Sequence, residues 1–213
     1  QIDPALVRVI AGPHVGGGFG GKGAITIEEL VLPRAAAIVG RPVRWIETRS
    51  EYLIAAPQGR GERIEVVLHG SADGTFEAIE VDVVKDAGAY PVVGAALPPG
   101  YSRPLSTGCY RIPVADFGFR SVVTNAPATS AFRGAGRAPI IHAIECAVDA
   151  FAAEIGMDPA SLRLRNLVPP EAMPWTSPTG AVYDDADYPG DLRRVVALAD
   201  YESLRREQAR RWP

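Results

Sequence analysis

The chain has 213 residues, 47% of them hydrophobic and 22% charged, with a formal net charge of −3. Such a composition can bury a core as one large domain or two small ones. The slight negative balance gives no general attraction to nucleic acid or anionic lipid, so an anionic ligand has to be held by local geometry.

Leu6–Ala11 is rich in β-branched residues and runs into a glycine cluster, which predicts a strand and then a loop. Within Ala24–Val39, Ile27, Leu30, Val31, Ala35 and Ile38 recur at helical spacing; Pro33 is a point of kinking, and Gly40 and Pro42 stop the helix. Pro42–Thr48 reads as a second strand. Arg63–Ser71 and Thr75–Val84 alternate on either side of Asp73-Gly74, a dipeptide suited to the positive φ angles of a tight turn, and form a β-hairpin. Tyr90–Pro113, rich in proline and glycine, is expected to run as an extended surface connection, followed by a strand over Val114–Thr124.

Beyond a loop at Asn125–Arg137, Pro139 opens a helix with a buried stripe of Ile141, Ile144, Val148, Phe151 and Ile155, ending near Gly156. Asp158-Pro159 starts another short helix. Pro169–Pro189 is a proline-punctuated loop, and Asp191–Ala209 is helical with a break near Asp200. The fold class is α+β: mixed helix and sheet layers with a long β-hairpin, rather than a regular parallel sheet. Residues 1–168 carry two glycine-bearing loops, and 169–213 form a proline-rich connector with C-terminal helices. The polar face of the long helix, with His142, Glu145 and Asp149, is expected to be solvated rather than metal-binding.

The first glycine loop, Gly16-Gly17-Gly18-Phe19-Gly20-Gly21-Lys22, admits several readings. As G-x-x-x-x-G-K it matches most of a phosphate-cradling loop, but Gly23 stands where a magnesium-binding hydroxyl is required. As G-x-G-x-x-G it matches the dinucleotide fingerprint, but Gly12–Val15 separates strand from loop and Glu47 lies later than the ribose-binding acid should. Glycines allow close backbone approach to a ligand, and free N–H groups at a helix start favour an anion. Alone, the loop is compatible with a nucleotide-binding module or with a non-catalytic interaction domain.

The second loop, Asn125-Ala126-Pro127-Ala128-Thr129-Ser130-Ala131-Phe132-Arg133-Gly134-Ala135-Gly136-Arg137, again ends at a helix start. The ordered pair V-G-G-G-F-G-G-K and N-x-P-x-x-x-A-F-R-G resembles the molybdopterin-binding subunit of the xanthine dehydrogenase and aldehyde oxidase family. Gly40-Arg41-Pro42-Val43-Arg44 and Cys109-Tyr110-Arg111-Ile112-Pro113 extend the resemblance over nearly the whole chain. Ser177-Pro178-Thr179-Gly180 and Tyr183–Pro189 resemble the branch that includes carbon monoxide dehydrogenase large subunits.

The resemblance implies a fragment of a molybdopterin-binding region. Its cofactor, molybdenum-molybdopterin in the cytosine dinucleotide form, would contact Gly17, Gly18, Phe19, Gly20, Gly21, Ala131, Phe132, Arg133 and Gly134. It implies hydroxylation of a small-molecule substrate with water as oxygen source, the protein positioning the cofactor. The family's general-base glutamate lies in a glycine-rich motif well beyond the second loop. No such motif follows here, and Glu171, Glu202 and Glu207 are not given that role, so no catalytic residue and no protein metal ligand is assigned. The isolated chain is expected to be inactive.

Purine-oxidising members carry an acid, an arginine and an aromatic where this chain has Gly23, Tyr101 and Ala135, the positions expected to meet substrate. Copper-containing members have Cys where Gly134 stands. The resemblance therefore implies an aldehyde or heteroaromatic substrate. Two cysteines, Cys109 and Cys146, cannot hold an iron–sulfur cluster, so FAD and [2Fe-2S] are expected on partner subunits or domains. The cysteine usage fits a reducing, cytoplasmic setting, and no apolar run suggests membrane insertion.

Overall fold

The computed structural model describes residues 3–23, 25–92 and 98–211. Helix α1 spans Ile27–Val39 and is set by a capping box in which the Glu29 N–H donates to Thr26 Oγ1 and the Thr26 N–H to the Glu29 carboxylate. It ends where Gly40 turns left-handed at φ 64° and donates to the Ala36 carbonyl. Ala24, its expected first residue, lies outside the described residues. Helix α2, Arg49–Ala55, is absent from the sequence expectation, although Thr48 and Glu51 form a second capping box.

Two expected strands, Leu6–Ala11 and Pro42–Thr48, do not join a sheet. A short 3-10 turn at Pro4–Leu6 leads into unpaired chain. β-Branched composition marks a residue that fits a half-buried pleated surface, but a strand also needs a neighbouring ladder. Neither segment has one among the described residues, and Val9 is left 88% exposed.

The hairpin forms as expected. Strand β1, Glu62–Gly70, pairs antiparallel with β2, Phe76–Asp86, across a turn in which Gly74 takes φ 89°. A register shift at His69/Gly70 places an extra residue in β2, so Phe76 and Ile79 both reach the core despite their odd separation. Strand β3, Val114–Val122, lies parallel to β2.

The connection before β3 is not a surface run. It contains α3, Pro98–Ser102, and a 3-10 turn at Arg103–Leu105, while Ser106, Thr107, Tyr110 and Ile112 are buried. Residues 93–97 of that connection lie outside the described residues. Proline and glycine there shape tight turns around Tyr110, whose ring meets Phe76 edge-on at 5.6 Å.

Helix α4, Arg137–Glu154, packs on the sheet, and α5, Pro159–Asn166, is capped by Asp158 and packs against α4. The buried stripe of α4 is Ile140, Ile144, Val148 and Ala152, rotated from the expected one; Ile141 is 36% exposed. Its polar face is also not simply solvated. Arg163 reaches Glu145 at 2.8 Å and Asp149 at 2.7 Å, and the Tyr110 hydroxyl donates to Glu145 at 2.9 Å. Burial, reinforced by the neighbouring Glu145 charge, pushes the Tyr110 phenol well above its ordinary value.

Strands β4, Trp175–Thr176, and β5, Val182–Tyr183, make a small hairpin within the expected loop. Helices α6, Tyr188–Leu198, and α7, Tyr201–Arg211, flank the expected break at Asp200, which takes φ 46°. The mixed helix and sheet architecture is that of the expected α+β class. Among the described residues no helix is long and apolar enough to cross a membrane.

Candidate functional site

The first loop is built from left-handed backbone: Gly16, Gly17, Phe19 and Gly20 take φ of 65°, 94°, 52° and 101°. It folds on itself as the Gly23 N–H donates to the Gly20 carbonyl at 3.1 Å and Lys22 Nζ to the Val15 carbonyl at 3.3 Å. No backbone N–H from Gly16 to Gly21 donates to an acceptor among the described residues.

The helix beyond this loop does not offer the expected anion site. Four residues separate Lys22 from Ile27, and the first turn of α1 is occupied by Glu28 and the capping carboxylate of Glu29. Those charges already neutralise the helix's positive end, and a phosphate there would meet two carboxylates. This weakens the helix-start part of the case for the nucleotide-binding readings.

The second loop hangs from the end of β2. Gln58 brackets its backbone: the Gln58 N–H donates to the Ala128 carbonyl at 3.0 Å, and the Ser130 N–H donates to the Gln58 carbonyl at 2.9 Å. Thr129 Oγ1 donates to the Asp86 carbonyl, and Asp86 Oδ1 accepts from the Gly88 N–H and from Thr124 Oγ1. Those bonds, led by the Thr124 hydroxyl, hold the Asp86 carboxyl below its usual range. The loop then turns left-handed at Gly134 and Ala135, φ 90° and 44°, and enters α4.

The two loops meet directly. The Arg133 N–H donates to the Phe19 carbonyl at 2.9 Å. Beside it, a Cβ on Gly20 would lie 2.2 Å from the Ala131 carbonyl oxygen, so only glycine permits this approach. The junction opens into a pocket of about 270 Å³ lined by Phe19, Gly20, Tyr101 and Ala131 through Ala135, with Arg137 completing it.

Of the residues expected from sequence, Phe19, Gly20, Ala131, Phe132, Arg133, Gly134, Ala135 and Tyr101 come together in that pocket. Gly17, Gly18 and Gly21 line a second cavity of about 750 Å³, shared with Lys22 and Tyr52 and bounded also by Phe19 and Phe132. Gly23 lines neither. Two residues were missed. Arg137, the first residue of α4, stacks over the Tyr101 ring at 5.0 Å, and Arg60 bonds the carbonyls of the second loop. Arg137 closes the second-loop sequence, but its partner Tyr101 is distant in the chain; Arg60 lies in no local motif.

The smaller pocket has two arginines on its wall and no carboxylate among the described lining residues. Cysteine is also missing from that wall. Cys109 sits half-buried, its thiol pushed up to about 11 by burial and then by the Glu145 charge, and Cys146 is exposed on α4. Among the described residues no cluster of His, Cys, Asp or Glu could hold a metal ion. A ligand here would be held by N–H donors and guanidinium groups, which suits phosphate, oxo and sulfur acceptors.

Free backbone donors of the first loop on a cavity that Glu47 also lines, beside a smaller pocket with two arginines and no carboxylate among its described lining residues, define a domain shaped for an acceptor-rich cofactor. The chain belongs to the molybdopterin cofactor-binding domain family, whose model matches residues 1–167. It is 34% identical, over 99% of its length, to the carbon monoxide dehydrogenase large chain of Hydrogenophaga pseudoflava, of which it covers 26%. To the nicotine 6-hydroxylase large subunit of Paenarthrobacter nicotinovorans it is 30% identical over 97% of its length and 25% of the relative. The crystal structure of quinoline 2-oxidoreductase from Pseudomonas putida 86 matches with a TM-score of 0.85 and 32% identity, over 93% of this chain and 25% of that one. The chain thus spans about a quarter of the length of the relatives it matches.

Proposed function

We propose that this chain is part of the molybdenum subunit of a hydroxylase that oxidises an aldehyde or heteroaromatic substrate, the oxygen coming from water. The observation that carries the reading is the Arg133 N–H to Phe19 carbonyl bond, which joins the two loops at a pocket without carboxylates. The chain's residues fit a molybdopterin cofactor: N–H groups of the first loop have no described acceptor, and Arg133 and Arg137 supply positive charge. When bound, that cofactor supplies the redox chemistry and the oxygen transfer. Gly17, Gly18, Phe19, Gly20 and Gly21 would hold it from one side through backbone N–H groups, and Ala131, Phe132, Gly134 and the Arg133 guanidinium from the other. The chain would orient the cofactor; no proton-transferring residue is assigned to it.

The substrate meets Tyr101 and Ala135, both on the pocket wall, where Ala135 leaves room for a planar ring. Gly23, the third position proposed to meet substrate, lines neither cavity but donates its N–H to the carbonyl of Gly20 on the pocket wall. The names of the nicotine and quinoline enzymes support the heteroaromatic choice. A carbon monoxide-oxidising role with copper is disfavoured by Gly134 and by the positions of Cys109 and Cys146, which leave no thiolate at the pocket. The cofactor takes its cytosine dinucleotide form, electrons leave through [2Fe-2S] and FAD on partner subunits or domains, and the assembly works in the cytoplasm. The division is placed at 168, just after Leu167, the last buried member of the core cluster; Tyr188 and Leu192 beyond it still pack against that cluster.

The test is metal and pterin analysis of the full-length protein matured in a host that makes the cofactor. About one molybdenum and one pterin per polypeptide are expected, with loss of most of both in Arg133→Glu. Molybdenum-free protein that turns over a substrate would sink the reading.

A further inference from the structure

Arg60 belongs to neither loop, yet the second loop rests on its side chain. Nη1 donates to the Ala135 carbonyl at 2.6 Å and the Phe132 carbonyl at 3.4 Å, and Nη2 to the Arg133 carbonyl at 3.2 Å. The guanidinium also lies over the Phe132 ring, 5.4 Å from its centroid. One planar fork therefore gathers three carbonyls from four successive residues.

The C=O and N–H of a trans peptide point in opposite directions. Drawing the Arg133 carbonyl toward Arg60 turns the Gly134 N–H the other way. Arg60, Glu62 and Lys85 enclose a small space on one side of the loop, and Gly134 lines only the open pocket on the other. The Gly134 N–H has no acceptor among the described residues.

Arg60 is held in turn from beneath. Its backbone sits at φ 71°, a left-handed conformation that a non-glycine residue adopts at a cost and keeps only where its surroundings enforce it. Lys85 Nζ donates to the Arg60 carbonyl and lies 3.3 Å from Glu62 Oε1, with the two side chains only 2% and 4% exposed. The second Glu62 oxygen has no hydrogen-bond partner among the described residues. A buried pair of this kind is weak as a source of stability, and its local effect here is to fix the Arg60 carbonyl.

We propose that Arg60, seated on the Lys85–Glu62 pair, is the positioning residue of the second loop: by holding the carbonyls of Phe132, Arg133 and Ala135 it presents the Gly134 N–H to the ligand in the pocket. The inference rests on the reading of that pocket as the cofactor site. Lysine cannot replace the fork, because one ammonium on a flexible stem cannot span three carbonyls.

Hydrogen exchange on the cofactor-free full-length protein tests the placement, comparing wild type with Arg60→Gln and Arg60→Lys. Peptides over residues 131–137 should exchange at least tenfold faster in both variants, with the β1–β2 hairpin and the middle of α4 unchanged. In cofactor-loaded protein, molybdenum content should fall and the electron paramagnetic resonance g-values of dithionite-reduced molybdenum should shift. Wild-type exchange at 131–137 in Arg60→Lys would overturn the inference, as would an equal rise across the hairpin and α4. If Arg60→Gln fails to fold, Arg60→Lys decides by the same readout. Molybdenum-free wild-type protein would defeat the functional reading, while the exchange result would still decide whether Arg60 holds the loop.

Discussion

At Gly20 the lack of a side chain lets one loop touch the other. Its φ of 101° and the 2.2 Å that a Cβ would leave to the Ala131 oxygen add two separate penalties, a left-handed backbone and a collision with main chain that cannot move aside. Gly134 carries only the first: its φ is 90°, but nothing lies within 4 Å of an added Cβ. Gly134→Ala should therefore cost about 1–2 kcal/mol, and Gly20→Ala about 3 kcal/mol or more. Thermal melts of the two variants check this, and equal destabilisation would contradict the close approach. The residues of the pocket were legible in proportion to how local their signal is. Phe19 and Arg133 stand in recognisable motifs, whereas Arg60 reaches the Arg133 carbonyl from 73 residues away and carries no pattern that announces it.

Among the elements, the hairpin, α1, α5 and the break before α7 were readable because their determinants are neighbours in the chain: a turn dipeptide, a capping box, an Asp-Pro start. Helix α2 was not read, although Thr48 and Glu51 have capping-box spacing. The face of α4 was not readable. Ile140 and Ile141 are equally apolar, and either can head a stripe that continues through Ile144 and Val148; the sheet decides by burying Ile140 completely. Ile144→Ala should cost about 2–5 kcal/mol, as for a fully buried aliphatic side chain, and Ile141→Ala about 1 kcal/mol or less. Denaturant midpoints for the two variants separate them, and similar losses would place Ile141 in the core. The expected strands at Leu6–Ala11 and Pro42–Thr48 failed for a related reason: composition can favour extended chain, but only a partner completes a ladder.

Across the whole molecule, burial is uneven. The core joins β2, the segment around Tyr110, α4 and α5, whereas α1 and α2 contain no buried residue and leave Ile27, Ile38 and Ile54 more than 70% exposed. Helices with few buried contacts open at low free energy. In hydrogen exchange on the 213-residue chain, amides of α1 and α2 should exchange within about a hundredfold of unstructured rates, and those of α4 and β2 should be slowed about a thousandfold or more. Equal protection in both regions would show that α1 and α2 draw on a packing surface not seen here. The hairpin turn, the starts of α4 and α5 and the two loop motifs that mark the family could be read from the chain alone, because each depends on residues close together in it. It took the packed fold to show that Phe19 and Arg133 share a hydrogen bond and that Arg60 supports the second loop. Those outcomes depend on which distant backbone groups come within hydrogen-bonding reach once the sheet and α4 have packed.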